Sequence, residues 1–220
     1  MVWACFIVFL ASPPWSEQSW PLPTVDYRGF DLHPLGAAAV NVGLIALFGM
    51  QHSLMARPWF KQRVTSRLPP AFERCTYVHA ANLALLALIL FWQPIPSVVW
   101  HADGPVRDLL WVTFAMGWII LLLGAVSFGV LELLGIEQMR ALTSKAPPPV
   151  PRLKTGHLYR AVPHPMYVGV LTAIWVTPHM TLGHLLLAAG MTAYVIGALH
   201  FEERDLAARF GIAYRRWRAI

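Results

Sequence analysis

The chain has 220 residues, 57% of them apolar and only 13% charged, with a formal net charge of +6; an average domain is about a quarter charged. Positions 35–56, 77–98, 109–131 and 161–201 hold no Lys, Arg, Asp or Glu, and about 20 such residues in a helix cross a hydrocarbon core of roughly 30 Å. That pattern excludes a soluble Rossmann-type enzyme, a nucleic-acid-binding domain and a disordered chain; lipid tolerates only internally hydrogen-bonded backbone, so the expected fold is an all-α polytopic transmembrane helical bundle.

Val2 to Ala11 is an apolar stretch of about half a span, stopped by Ser12-Pro13-Pro14. It lacks the basic flank and cleavage site of a signal peptide. The Pro- and Trp-rich segment 12–34 reads as a loop. Leu35–Ala56, Thr76–Val98 and Leu109–Leu131 read as the first three complete spans. The run 161–201 is too long for one crossing and carries Thr177-Pro178-His179 near its middle, where proline makes a corner. It is expected to form a hairpin of helices at 165–177 and 181–200, which gives about five full spans.

Under this topology one side receives Arg28 and Arg107 and the other receives the remaining 15 basic residues, in 57–75, 132–160 and 202–220. The positive-inside rule places those basic loops and the C-terminus in the cytosol. The cytosolic loop contains Ala146-Pro147-Pro148-Pro149-Val150-Pro151, a stiff polyproline-like spacer. No internal repeat or linker separates a second unit, so 1–220 is read as one membrane-embedded domain. Cys5 and Cys75 offer neither a CxxC motif nor a disulfide framework.

Polar residues inside spans face the bundle interior and pair. Asn41, Ile45, Phe48 and His52 recur at helical spacing, Gln51 adjoins His52, and His79 and Asn82 lie three apart. Interhelical hydrogen bonding accounts for such residues without any ligand. The nine histidines show no HExxH or comparable ligand spacing, and no metal is expected. Past the hairpin, Leu206, Phe210, Tyr214 and Trp217 form an apolar stripe on a basic, amphipathic C-terminal helix. Glu203 falls on that stripe with Glu202 beside it; carboxylates aimed at the bundle require a cation or donor, with Arg160, Arg204 and Arg209 as bland partners. Pro165 suits a first helical position, which puts His164 at the mouth of a span whose free N–H groups favour an anion.

Two motif sets carry a resemblance. Gly156-x-x-Tyr159-x-x-x-x-His164-Pro165-x-Tyr167-x-Gly169, followed by Glu202-Glu203-x-x-Leu206-x-x-x-Phe210-Gly211-x-x-Tyr214, resembles the C-terminal half of the membrane methyltransferases related to isoprenylcysteine carboxyl methyltransferase. Gln51-His52-Ser53-Leu54-Met55-Ala56-Arg57-Pro58, Glu73-Arg74-x-Thr76-Tyr77 and Trp92-Gln93-Pro94-Ile95-Pro96 are similar to bacterial methanethiol S-methyltransferases and the nurim and NnrU-like membrane proteins. The likeness covers about residues 40–218, leaves 1–34 as a diverged N-terminal segment, and makes 161–218 the cofactor-binding hairpin and helix. Pro163 departs from the superfamily, which usually has Arg there.

The resemblance implies an S-adenosylmethionine-dependent thiol S-methyltransferase of the bacterial inner membrane that converts methanethiol to dimethyl sulfide. It implies S-adenosylmethionine as cofactor, held by His164, Pro165, Tyr167, Gly169, Glu202 and Glu203. Gln51, His52, His79 and Arg209 are then the candidate acceptor-binding residues. A cysteine-type thiol has a pKa of about 8.5 and reacts as the thiolate, so a neutral imidazole, His52 or His164, is the candidate catalytic base. The expected partners are a small volatile thiol and the lipid bilayer. A prenylated cysteine or lipid amine as acceptor, or a non-enzymatic NnrU- or nurim-like role, are the alternatives.

Overall fold

The computed structural model describes residues 2–13, 21–30, 32–144 and 152–218. Its helices are α1 (Val2–Ala11), α2 (Pro34–Ala56), α3 (Pro58–Thr65), α4 (Ala71–Phe91), α5 (Gly104–Phe128), α6 (Val130–Leu133), α7 (Ile136–Ser144), α8 (Pro165–Trp175) and α9 (Leu182–Arg218), with a 3₁₀ turn at His157–Arg160. Helices α2, α4, α5 and α9 are long and apolar enough to cross a membrane. Leu35, Leu83, Leu109 and Ile196 on these four are all more than 60% exposed, the outward apolar surface that lipid covers. The chain is a multi-pass helical membrane protein.

Prolines set the helix boundaries. Pro34, Pro58, Pro105 and Pro165 occupy first-turn positions of α2, α3, α5 and α8, where a missing N–H breaks no bond. Arg57, before Pro58, is forced into extended backbone (φ −71°, ψ 142°) and so separates α2 from α3. Helix α4 stops at Phe91 instead of reaching Val98, because Pro94 and Pro96 cannot continue it. The freed backbone is held by Asn41, which donates from Nδ2 to the Gln93 carbonyl at 2.7 Å and accepts the Gln93 N–H at 2.8 Å. Asn41 is fully buried and is a clamp between α2 and the end of α4.

Helix α8 packs against α5 and α9, α2 against α4 and α9, and α1 against α4. The short α1 belongs to the core: Phe6, Phe9 and Leu10 are buried, with Phe9 edge-on to Trp92 at 5.9 Å and Phe6 to Trp118 at 6.1 Å.

Four expectations need correction. The all-α class holds, but where a tight turn was expected the chain forms a short ladder, β1 (Val98–His101) paired antiparallel with β2 (His179–Thr181). Non-helical backbone here needs partners, and the ladder supplies them, extended by Ala102 N–H to the Pro178 carbonyl and Leu182 N–H to the Ser97 carbonyl, both 2.8 Å. The fourth of the expected crossings, 165–177, is the eleven-residue α8, about 16 Å of helix and short of a full span. The C-terminal amphipathic helix is not separate: α9 runs from the apolar span into it and breaks only at Gly211 (φ 55°, ψ −123°). Part of the 132–160 loop is helical, as α6 and α7; the polyproline-like stretch, in 145–151, lies outside the described residues.

Candidate active site

The end of the bundle that carries α3, α7 and the last turns of α9 is the basic end. There the first helical position of α8 is Pro165, and His164 precedes it as the cap. Its imidazole Nε2 lies 2.7 Å from Glu203 Oε1, and its Nδ1 lies 3.8 Å from Glu202 Oε2. Tyr167, one turn into α8, stacks on His164 (5.6 Å, 16°) and donates its hydroxyl proton to Glu202 Oε2 at 2.7 Å. Two consecutive acids on α9 are thereby tied to the mouth of α8.

Glu203 gains two further partners from the chain beyond Gly211. The positive φ of Gly211 is a conformation that side chains resist, and it redirects the terminal turns toward the acids. The buried Tyr214 then donates to Glu203 Oε1, and Arg218 Nη1 sits 2.7 Å from Glu203 Oε2. The side chain of Glu203 is 16% exposed and that of Glu202 is 42%. Glu203 is enclosed by an imidazole, a phenol and a guanidinium. Glu202 has one phenol donor and a carboxylate accepts about four hydrogen bonds, so Glu202 retains acceptor capacity on its open side. Tyr159, on the 3₁₀ turn, is pushed up to about 12 by burial and then by the Glu202 charge.

The second half of the site is an aromatic cluster between α2, α4 and α9. His52 Nε2 is 2.7 Å from the Tyr77 hydroxyl. Phe48 stacks on the His52 ring (5.4 Å, 22°), and Tyr194 meets it edge-on at 6.2 Å. The opposite nitrogen, His52 Nδ1, is shielded from solvent and has no hydrogen-bond partner; the neighbouring Gln51 Oε1 is in the same condition. Gln51 Nε2 is 3.1 Å from Met55 Sδ. A buried polar atom without a protein partner, here on each of two consecutive residues, is what a polar ligand group would satisfy.

Three of the sequence candidates lie apart. His79, two residues from Tyr77, is on the opposite face of α4; it is exposed and its Nδ1 lies 2.8 Å from the Cys75 carbonyl. Arg209 is exposed, with its guanidinium over the Phe210 ring, and pairs with neither acid. Gly169 lies where α8 crosses α5: a Cβ there would sit 2.5 Å from the Leu121 nitrogen and 2.7 Å from the Gly117 carbonyl. Among the described residues no three His, Cys, Asp or Glu side chains group as a metal site. Sequence reasoning gave no role to Tyr77, Tyr194, Tyr214 or Arg218. Tyr77 was detectable in principle, since it closes the Glu73-Arg74-x-Thr76-Tyr77 motif near the basic end of α4.

Apolar crossing helices with a histidine–glutamate–tyrosine network at one mouth define a multi-pass membrane protein with a cluster of ionisable side chains at the bundle's basic end. The sequence is 42% identical over 187 residues to a protein of Mycobacterium tuberculosis named methanethiol S-methyltransferase, which covers 84% of this chain and 77% of that one. A Pseudomonas deceptionensis protein of the same name is 39% identical over 182 residues, 82% and 70% of the two chains. Human Nurim is 32% identical over 202 residues, 88% and 75% of the two. No family model and no solved structure matches the chain. The chain belongs to the methanethiol S-methyltransferase family and is a methyltransferase.

Proposed function

We propose that this chain transfers a methyl group from S-adenosylmethionine to methanethiol, forming dimethyl sulfide, at the basic end of its bundle. The observation that carries the reading is the pair of acids on α9 converging on His164 and Tyr167. The cofactor's ammonium and sulfonium are cations, and Glu202, held by the Tyr167 hydroxyl, presents a carboxylate with spare acceptor capacity. The first-turn N–H groups of α8, behind His164, suit its carboxylate. The residues therefore fit the cofactor at both of its charged ends. When bound, S-adenosylmethionine supplies an electrophilic methyl on a sulfonium.

The chain's own work is to hold the acceptor, exclude water and accept a proton. The buried Nδ1 of His52 takes the thiol proton, and the S–H electron pair stays on sulfur as the nucleophile. Phe48 and Tyr194 wall that position with apolar surface suited to a small volatile thiol. Gln51 Oε1 is a second buried polar atom without a protein partner. Positioning two reactants in line supplies most of the acceleration in such a displacement.

The basic end faces the cytosol in this reading, where a water-soluble cofactor reaches Glu202 without crossing the bilayer. The test is headspace gas chromatography of cells expressing the chain and supplied with methanethiol. Dimethyl sulfide is expected from the parent and a loss of at least roughly tenfold from Glu203→Gln, which removes a charge from a site built for a cation. Cofactor-derived methyl on lipid or protein, with no dimethyl sulfide, would move the acceptor assignment elsewhere.

A further inference from the structure

We propose that His101 and His179, facing each other across the β1–β2 ladder at the end of the bundle opposite the basic end, form a binding site for one divalent transition-metal ion of the copper–zinc class. Their Nδ1 atoms lie 3.1 Å apart, and the rings stand 73° to one another with centroids 5.3 Å apart. Two ring nitrogens at that distance cannot both present lone pairs, which repel, or both present protons, which collide. One positive centre has to lie between them, either a single shared proton or a metal ion. A metal bound at about 2.0–2.1 Å, as imidazole binds zinc, would subtend roughly 98° at two nitrogens 3.1 Å apart. That angle lies between the tetrahedral geometry zinc takes and the tetragonal geometry of copper.

The backbone sets that spacing before any ion arrives. His101 and His179 are register partners in the ladder, so their side chains leave opposed positions on one face. Thr177 pins the β2 side: its Oγ1 donates to the His179 carbonyl at 3.0 Å and accepts the His179 N–H at 3.3 Å. Trp100 pins the β1 side by donating its indole N–H to the Thr177 carbonyl at 3.0 Å. Behind His101 stands Asp103, whose Oδ1 is 3.3 Å from Nε2. A carboxylate there favours a proton on Nε2 and a lone pair on Nδ1, the outer support that metal-bound histidines usually have. The side chains of His101 and Asp103 are 55% and 81% exposed, so water completes the coordination and an ion enters without opening the fold. Arg107, in the first turn of α5, has its charge offset by Asp108 at 2.9 Å. As the ion replaces the shared proton, the ring that carried it gives up its Nδ1 proton to water and takes one at Nε2, so both rings bind as neutral imidazole. An ion held this way staples the segment entering α5 to the turn between α8 and α9. Ligand spacing in the sequence does not show the site, because the two rings are 78 positions apart.

The test uses the full chain in detergent, without a polyhistidine tag, and Cu²⁺ as the probe. One equivalent is added and read by low-temperature electron paramagnetic resonance. The parent should show coupling to two imidazole nitrogens, and His101→Gln and His179→Gln should each lose it. Asp103→Asn should weaken Cu²⁺ binding by roughly tenfold, the low end of an outer-shell loss, and each histidine variant by at least as much. Zn²⁺ should raise the unfolding midpoint of the parent and leave that of His179→Gln unmoved, since an ion that binds only the folded chain stabilises it. The parent spectrum does not depend on any variant folding: without a two-imidazole signal the proposal is overturned, and the pair holds a shared proton only. Equal Cu²⁺ affinity in the parent and both histidine variants also overturns it, because the ion is then held by other groups. The proposal is separate from the methyl-transfer reading, so a parent chain that forms no dimethyl sulfide leaves these outcomes unchanged.

Discussion

Glu203 has three partners of unequal weight. His164 shares an enclosed hydrogen bond with it, each side chain 16% exposed, whereas Arg218 is 62% exposed. A hydrogen bond to a charged group in an enclosed site contributes about 1.5–3 kcal/mol, and an exposed ion pair less than about 1 kcal/mol. His164→Ala is therefore expected to lower the unfolding midpoint in detergent by several degrees more than Arg218→Ala, and equal losses from the two would show that the terminal turns carry the network. His164, Glu202 and Glu203 were legible in the sequence because ionisable groups bordering an apolar run need partners. Arg218 was not, since it reaches Glu203 only through the positive φ of Gly211, and nothing local distinguishes it from the neighbouring Arg215 and Arg216. Tyr77 was not either, because an aromatic residue near a helix end is ordinary interfacial furniture until the facing residue on α2 is known.

At the scale of elements, the site depends on how closely α8 lies against α5. Gly169 and Gly117 oppose each other there, and a Cβ at 169 would meet backbone atoms at 2.5 and 2.7 Å, which cannot rotate away. The only relief is to move α8, and α8 carries His164 and Tyr167. Gly169→Ala is expected to cost about 1–3 kcal/mol, as overpacking does, and to weaken cofactor binding in calorimetry. Gly197→Ala on α9 is the control: a Cβ there meets nothing within 4 Å, so it should leave both quantities unchanged or slightly raise stability through helix propensity. A motif glycine two positions after Tyr167 reads in sequence as part of a binding loop; its place at a helix crossing emerges only once α5 is packed. The same lack of a partner hides the β1–β2 ladder, because His179–Thr181 is three residues long and acquires strand geometry from Val98–His101, 78 positions away at the His101–His179 pairing.

The whole molecule was legible from charge alone to the extent that charge governs it. The uncharged runs mark α2, α4, α5 and α9, because lipid excludes ionised groups from those stretches. They could not separate a full crossing from the shorter α8, which is apolar because it is buried against α5 and α9. The distribution of the basic residues makes a further prediction. Arg57 pairs with Asp205 at 3.2 Å and Lys61 with Glu73 at 3.6 Å, so the ends of α2 and α4 that flank α3 share one face with the late turns of α9. With 15 of 17 basic residues in the segments on that face, the proposed orientation puts it in the cytosol. Green fluorescent protein fused after Ile220 should then fluoresce, and alkaline phosphatase inserted between β1 and α5, at Ala102, should be active. The reverse pair of signals would turn Glu202 and Glu203 away from the compartment that supplies the cofactor, and methyl transfer at this site would lose its source.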